Sequence, residues 1–320
     1  MNELDTKDKK LLSELDVNAR QTNSELSKKV RLSKKGVEYR ISQLAKKDII
    51  QGFYPVVDFL KLGYSYNRVF IKLQYLNDNI RNQIDEYIKK TEGINWAVWF
   101  RGTYDLGLAF WTKTATEFKD RLLEFVAEFN DQIKDLHFSQ VIQLYHYPYK
   151  MFQSNNNTLA TMKETSNIKN IDNIDKKILL ELNKNSRLTS TQIARNIDSN
   201  YKLVSYRIKR LIDNEILLAS RAKINHLALG MIHYKVFAYL KFKDIESIKV
   251  LKNYIQSLKQ TVYTVDHTEA NFLDFELVVL SVEELQEVLD DISNKFIGMV
   301  REFQHFTFGK TIKISFLPIE

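Results

Sequence analysis

Apolar residues recur at helical spacing at the start of the chain: Leu4, Leu11, Leu12 and Leu15 share one face, with Asp5 or Thr6 placed to cap it. Thr22 or Asn23 then caps a short second helix whose Leu26 and Val30 face inward. After the brief turn at Arg31-Leu32, Ser33 caps a third helix with Val37, Ile41 and Leu44 on one face. A short helix, a tight turn and a longer basic helix predict a helix-turn-helix, whose last helix enters a DNA major groove. The pattern then changes. Asn67 to Tyr75 predicts a strand, Ile80 to Lys90 a helix, and Asn95 to Arg101 with Tyr104 to Trp111 a hairpin through Gly102-Thr103. Glu117 to Phe129 predicts a second helix and Phe138 to Tyr147 a closing strand. The order β-α-β-β-α-β is the ferredoxin-like one, an antiparallel sheet with helices on one face.

The whole pattern then starts again. Residues 4–73 reappear at 171–240 at a constant offset without a gap, with roughly a third of positions identical. Asp8-Lys9-Lys10 answers Asp175-Lys176-Lys177, Asn18 and Arg20 answer Asn185 and Arg187, and Val37-x-Tyr39-Arg40-Ile41 answers Val204-x-Tyr206-Arg207-Ile208. The later strands are expected near Tyr234 to Phe242, Val262 to His267, Asp274 to Leu280 and Phe306 to Phe316, with helices near Ile245 to Leu258 and Glu283 to Phe296. Gln153-Ser154-Asn155-Asn156-Asn157 opens a polar stretch with no apolar period, which predicts a linker. The expected fold class is α+β, a tandem duplication of a winged or tri-helical helix-turn-helix followed by a ferredoxin-like βαββαβ domain. Helix-turn-helix units are expected at 1–54 and 171–221 and ferredoxin-like units at 63–150 and 230–320, joined by a linker at 151–170.

Charge sharpens this picture once it is located. The net charge is +7, and Lys and Arg outnumber Asp and Glu by 12 to 8 in residues 1–50 and by 9 to 6 in residues 171–220. The remainder is balanced at 26 against 26, so the excess sits in the two copies of one small module. That is the footprint of a polyanion partner such as double-stranded DNA, and on charge alone it fits the solvated surface of Lys-rich helices equally well. On the third helix of the first copy Lys35, Tyr39, Ser42 and Lys46 project opposite the apolar face, with Ser33 at its start and Lys34 and Arg40 on its flanks. The second copy presents Lys202, Tyr206 and Lys209 with Tyr201 and Arg207 beside them. Arg40 and Arg207 suit a phosphate contact or a pairing with an acidic residue of the first helix equally well.

Other chemistry is thin. Cysteine is absent, which removes disulfides, Cys-ligated zinc and thiol nucleophiles. Histidines 137, 146, 226, 233, 267 and 305 lack metal-ligand spacing and are expected to be satisfied or exposed. No Gly-rich phosphate loop or paired-carboxylate motif is present, and no cofactor is expected. No apolar run reaches membrane-spanning length, so a cytoplasmic protein without a membrane partner is expected. Trp96, Trp99 and Trp111 all fall in the first sheet, where core or interface packing is their ordinary use.

Several motifs together resemble one family. The opening Leu-Asp-x-x-Asp-x-x-Leu-Leu, the recognition helix ending Arg40-Ile41-x-x-Leu44 before Ile49-Ile50, the connector Leu62-Gly63-Tyr64, and Arg101-Gly102-Thr103-Tyr104-Asp105 are similar to the Lrp/AsnC feast/famine regulators. The resemblance spans nearly the whole chain, twice. It implies a sequence-specific DNA-binding transcription regulator whose second, RAM-like domain assembles the protein and binds an amino acid or similar small effector at subunit interfaces. Gly102, Tyr104 and Asp105 are the positions it implies for that effector. Where the family carries one copy per chain and dimerises, this chain resembles two protomers fused into an internal pseudo-dimer, open to further association through the RAM-like halves. Two departures stand out: Asp48 and Glu215 occupy positions where the family usually has Gly, and Ala270-Asn271-Phe272-Leu273-Asp274 replaces the glycine turn in the second copy. Fused or paired proteins resembling the same family decarboxylate sirohaem, which makes an enzyme of that kind the alternative reading.

Overall fold

The computed structural model describes residues 4–152, 160–241, 244–315 and 317. The first head consists of α1 (Thr6–Val17), α2 (Asn23–Val30) and α3 (Lys34–Lys46). Each helix starts where a side chain can satisfy its free amides: Asp5 accepts from the Asp8 amide, Thr22 and Glu25 form a reciprocal capping box, and Ser33 accepts from Gly36. A strand, β1 (Ile50–Val57), follows. Between α3 and β1 the chain turns through Asp48 at φ 55, and Glu215 repeats this at φ 52 in the second copy. The two departures from glycine therefore sit where a left-handed residue is required, at a cost of about 1 kcal/mol each.

The first sheet region comprises β2 (Ser65–Leu73), α4 (Asp78–Lys90), β3 (Ile94–Gly102), β4 (Leu106–Thr112), α5 (Ala115–Glu128) and β5 (Ile133–His146). A short β6 (Ala160–Lys163) pairs with the end of β5, so part of the expected linker is sheet; Gln153 to Asn157 lie outside the described residues. The second copy supplies α6 (Asn173–Lys184), α7 (Ser190–Asn196), α8 (Tyr201–Asp213) and β7 (Leu217–Ile224). It continues with β8 (Ile232–Leu240), α9 (Ile245–Ser257), β9 (Thr261–His267), β10 (Phe272–Val279), α10 (Val282–Lys295) and β11 (Val300–Ile314). The helices keep the offset of 167 residues to the end, α4 matching α9 and α5 matching α10, long after sequence likeness has faded.

The two expected ferredoxin-like sheets do not stand apart. Their strands follow the order β2-β4-β3-β11-β8-β10-β9-β5, and β5 returns to β2, which closes an eight-stranded antiparallel barrel with β6 alongside. Closure depends on the last strand of each half. β5 pairs with β2 through Ile133 to Val141 and then with β9 of the other copy through Val141 to His146. β11 does the reciprocal, pairing with β8 through Val300 to Thr307 and with β3 through Phe306 to Ile314. Alternation along the strands sorts the side chains: Val69 and Ile71 pack outward under Ile84, Ile88 and Phe125 of the helices, while Phe70 points inward to Phe237 and Phe306 of the other copy.

The heads are exchanged in the same sense. β1 pairs antiparallel with β7, and each lies under the other copy's helices: Leu11, Leu12 and Leu15 pack with Ala222 and Ile224, and Ile178, Leu179 and Leu182 pack with Val57. Arg20 donates to the Ser186 and Leu188 carbonyls at 2.6 and 2.9 Å, and Arg187 donates back to the Ala19 carbonyl at 2.7 Å. One contact breaks this symmetry. Arg221 and Asp16, both fully buried, pair at 2.6 Å, with Arg221 also donating to the Tyr147 carbonyl and Asp16 accepting the Tyr149 amide. Burial raises the Asp16 carboxyl above its ordinary value against the pull of Arg221, and burial likewise opposes the guanidinium charge, which Asp16 nevertheless holds well above its ordinary value. The equivalent positions on the other side are Tyr54 and Asn183.

Asp16→Ala strands the buried guanidinium and is expected to cost roughly 3–5 kcal/mol in urea unfolding. Asp16→Asn with Arg221→Tyr copies the opposite side and should recover most of that loss. A double variant no more stable than Asp16→Ala would remove the ion pair from the account of the interface.

Candidate functional site

The outward face of α3 carries Lys34, Lys35, Tyr39, Ser42 and Lys46, all exposed, and α8 carries Tyr201, Lys202, Tyr206 and Lys209. Tyr39 and Tyr206 are 65% and 62% exposed, an apolar cost that packing does not explain. Ser33 is occupied at the helix start, accepting from the Gly36 amide at 3.0 Å. The arginines are tied down: Arg40 Nη1 donates to Asp5 and Asp8 at 2.7 Å each, and Arg207 bonds to Asp172 and Asp175. Of the two roles open to them, the structure gives the ion pair with the first helix. Exposed Lys28 and Arg31 add positive charge beside α3 that the recognition-helix pattern alone does not single out.

A second feature has no counterpart among the sequence motifs. A cavity of about 550 Å³ lies between the β1–β7 ribbon and one end of the barrel. Equivalent positions of both copies line it, so it straddles the pseudo-twofold axis: Phe59 with His226, Tyr66 with His233, Arg68 with Lys235, Trp96 with Tyr263. Its charges are paired. Arg68 reaches Asp274 at 2.7 Å and the Ser139 hydroxyl at 2.9 Å, while Lys235 reaches Asp274 at 2.7 Å and Glu276 at 3.0 Å. His233 Nε2 donates to the second Glu276 oxygen at 2.9 Å. Burial opposes the Glu276 charge, but Lys235 and His233 hold this carboxyl down at about 2. Burial drives the His146 and His226 imidazoles to about 3, with Arg221 adding to it, so both are neutral. The histidines expected to be satisfied or exposed thus divide: His226 bonds to the Tyr149 hydroxyl at 2.8 Å, whereas both ring nitrogens of His146 are buried without a partner.

The winged helix-turn-helix DNA-binding profile matches residues 4–51 and again 171–217. Beyond the heads, an HTH-type transcriptional regulator of Pyrococcus abyssi is 34% identical over 116 residues, 36% of this chain and 77% of that protein. Another, of Pyrococcus furiosus, is 31% identical over 127 residues, 39% of this chain and 84% of that protein. The chain belongs to the helix-turn-helix transcriptional regulators. Each match spans little more than a third of this chain and most of the relative's own length. Among solved structures, the sirohaem decarboxylase NirDL shares the fold over 97% of this chain and 93% of its own, with a TM-score of 0.63 and 13% identity.

The three residues that the Lrp/AsnC resemblance implied for an effector serve the barrel seam instead of the cavity. Gly102, at φ 133, lets β11 approach: a Cβ there would meet the His305 carbonyl and the Phe306 Cβ at 2.9 Å. Tyr104 is buried among Phe70, Phe237 and Phe306. Asp105 accepts the Leu73 amide at 2.9 Å and pairs with Lys72 at 3.2 Å. Among the described residues no helix is long and apolar enough to cross a membrane.

The cavity makes the fold acid-labile in a stated window. His146 is neutral when folded and free to protonate near 6.5 when unfolded, so its stabilising contribution is complete above pH 6.5 and is lost as pH falls toward about 3. His226 acts with the same sign, and Glu276, held below its ordinary 4.5, adds to the loss between 4.5 and about 2. Urea unfolding should lose about 1.4 kcal/mol per pH unit for each imidazole on going from pH 6 to pH 4. His146→Phe should flatten the profile by one such increment; an unchanged slope would contradict a neutral buried His146.

Proposed function

We propose that the protein is a sequence-specific DNA-binding transcription regulator that reads one site of two unlike halves. Each half of the barrel is read as a ferredoxin-like unit whose fourth strand has crossed to the other half, so the barrel serves as the assembly part of an internal pseudo-dimer. The observation that carries the reading is the pair of exposed Lys-Tyr faces on α3 and α8, at equivalent positions of two heads joined through β1, β7, Arg20 and Arg187. Lysines there neutralise phosphates, while side chains at the groove discriminate bases. The faces differ, since Ser42 and Lys46 are answered by Lys209 and Asp213. A homodimer mirrors its symmetry in a palindrome, and a chain with two unlike heads has no such obligation.

Selection of bound sequences from random DNA, followed by footprinting, tests this. Two half-sites of different sequence under one chain are expected, and a short perfect palindrome occupied by a single chain would reject the reading. Lys35→Ala with Lys46→Ala should weaken binding and reduce the salt slope by about one unit for each phosphate no longer neutralised. Exchanging Lys35 and Tyr39 should alter preference in one half-site by about 1–3 kcal/mol.

One specific observation favours an enzyme instead: the fold of the whole chain is shared with a sirohaem decarboxylase, whose structure has also been solved with an iron-uroporphyrin III analogue. The charge of the cavity argues against that substrate here. A tetrapyrrole carrying many carboxylates needs free cations, yet Arg68 and Lys235 are each already committed to carboxylates, leaving Lys223 at the exposed rim. Addition of sirohaem should give no saturable shift of its absorption band and no carbon dioxide. A stoichiometric shift with gas release would establish the enzyme.

A further inference from the structure

The two walls of the axial cavity have diverged in a directed way. Where the first copy presents Phe59 and Tyr66, the second presents His226 and His233; where the first has Ala109, the second has the cavity-lining Glu276. The first wall is a cluster of rings, with Phe59 tilted against Trp111 at 4.3 Å and Tyr66 edge-on to it at 6.1 Å. The second is a hydrogen-bonding edge in which Glu276 joins Lys235 to His233, and the His233 ring stacks on Phe308 at 4.1 Å.

We propose that this cavity binds one uncharged, planar heteroaromatic molecule per chain, its ring face on the Trp111 wall and its donor–acceptor edge toward His233, Lys235 and Glu276. The volume lies in the range of small-molecule sites, roughly 300–1,000 Å³, and such sites combine apolar walls with a few convergent polar groups. A wall of rings favours an aromatic ligand, because offset stacking and edge contacts extract the most from rings. The absence of net charge follows from the pairing of Arg68 and Lys235: a ligand carboxylate would have to displace a carboxylate already in contact. Glu276 remains an acceptor for ligand N–H groups and Lys235 a donor for ligand carbonyls or ring nitrogens. One molecule is expected because a site on the axis exists once, and one orientation because its two sides are no longer alike.

Lumichrome, an uncharged tricyclic heteroaromatic with N–H and C=O groups along one edge, is the probe. Titrated into the full chain, it should bind saturably at one molecule per chain by calorimetry and quench the tryptophan emission. Trp99 donates to Asp85 and does not line the cavity, so quenching should persist in Trp99→Phe and fall in Trp96→Leu. Glu276→Gln should weaken binding about tenfold or more. Because that change also frees Lys235, the wild-type unfolding temperature is measured alongside and should rise with lumichrome. No saturable binding, two molecules per chain, or affinity unaltered in both Trp96→Leu and Glu276→Gln would overturn the proposal. So would tight binding of uroporphyrin, a polycarboxylate, where lumichrome fails. No DNA is present in the assay, so its failure and the failure of the operator reading are separate results.

Discussion

Backbone hydrogen bonding at sheet edges is the constraint on which this molecule is built. A four-stranded sheet has two edges, and an unpaired edge invites any passing strand. Here neither half keeps its edges, because β5 and β11 each spend their first part on their own half and their second part on the other. The pseudo-twofold arrangement of everything else follows from that exchange. Closing the barrel carries β8 toward β3 and β9 toward β5, and the connectors above it bring β1 against β7. Each set of head helices then finds its apolar floor on a strand belonging to the other copy.

Polar contacts on the axis divide into those that preserve symmetry and those that break it. Arg20 and Arg187 are the former, each donating to carbonyls of the opposite head, so one residue type at one position works for both sides. Asp16 with Arg221 is the latter, a buried pair that needs a carboxylate on one copy and a guanidinium on the other. Such a pair at these positions could not occur once in a symmetric homodimer. The cavity behaves in the same way, with rings on one wall and imidazoles, an ammonium and a carboxylate on the other.

Much of the local structure was legible because its causes are local. Asp5, Thr22 and Ser33 cap helices whether or not the rest of the chain is known, and the apolar face of Val37 and Leu44 is set by helical spacing. The strands show in their β-branched and aromatic content, and the repeat shows in identities such as Arg20 with Arg187. Closure of the barrel was not legible, since the pairing of Phe306 with Gly102 across the two halves leaves no period in either segment. The ribbon was hidden for the same reason: β1 and β7 are stabilised by each other. The cavity could have been suspected from Arg68 and Lys235, cations at equivalent positions just before Val-Phe in otherwise apolar strands. Its other members, Glu276 and His146, are joined to them only by the fold.

The exchange of strands also sets a timetable for synthesis. β3 emerges early, but its partner β11 lies about two hundred residues downstream, Thr307 contacting Arg101 across a separation of 206. At about 5–20 residues per second, that edge waits roughly 10 to 40 s on the ribosome before its partner exists. During that interval a nascent first half carries an open edge beside Trp96, Val98 and Phe100, and two such halves on neighbouring ribosomes are self-complementary. Translation rate, and whatever shields that edge meanwhile, therefore bear on the yield of correctly paired molecules.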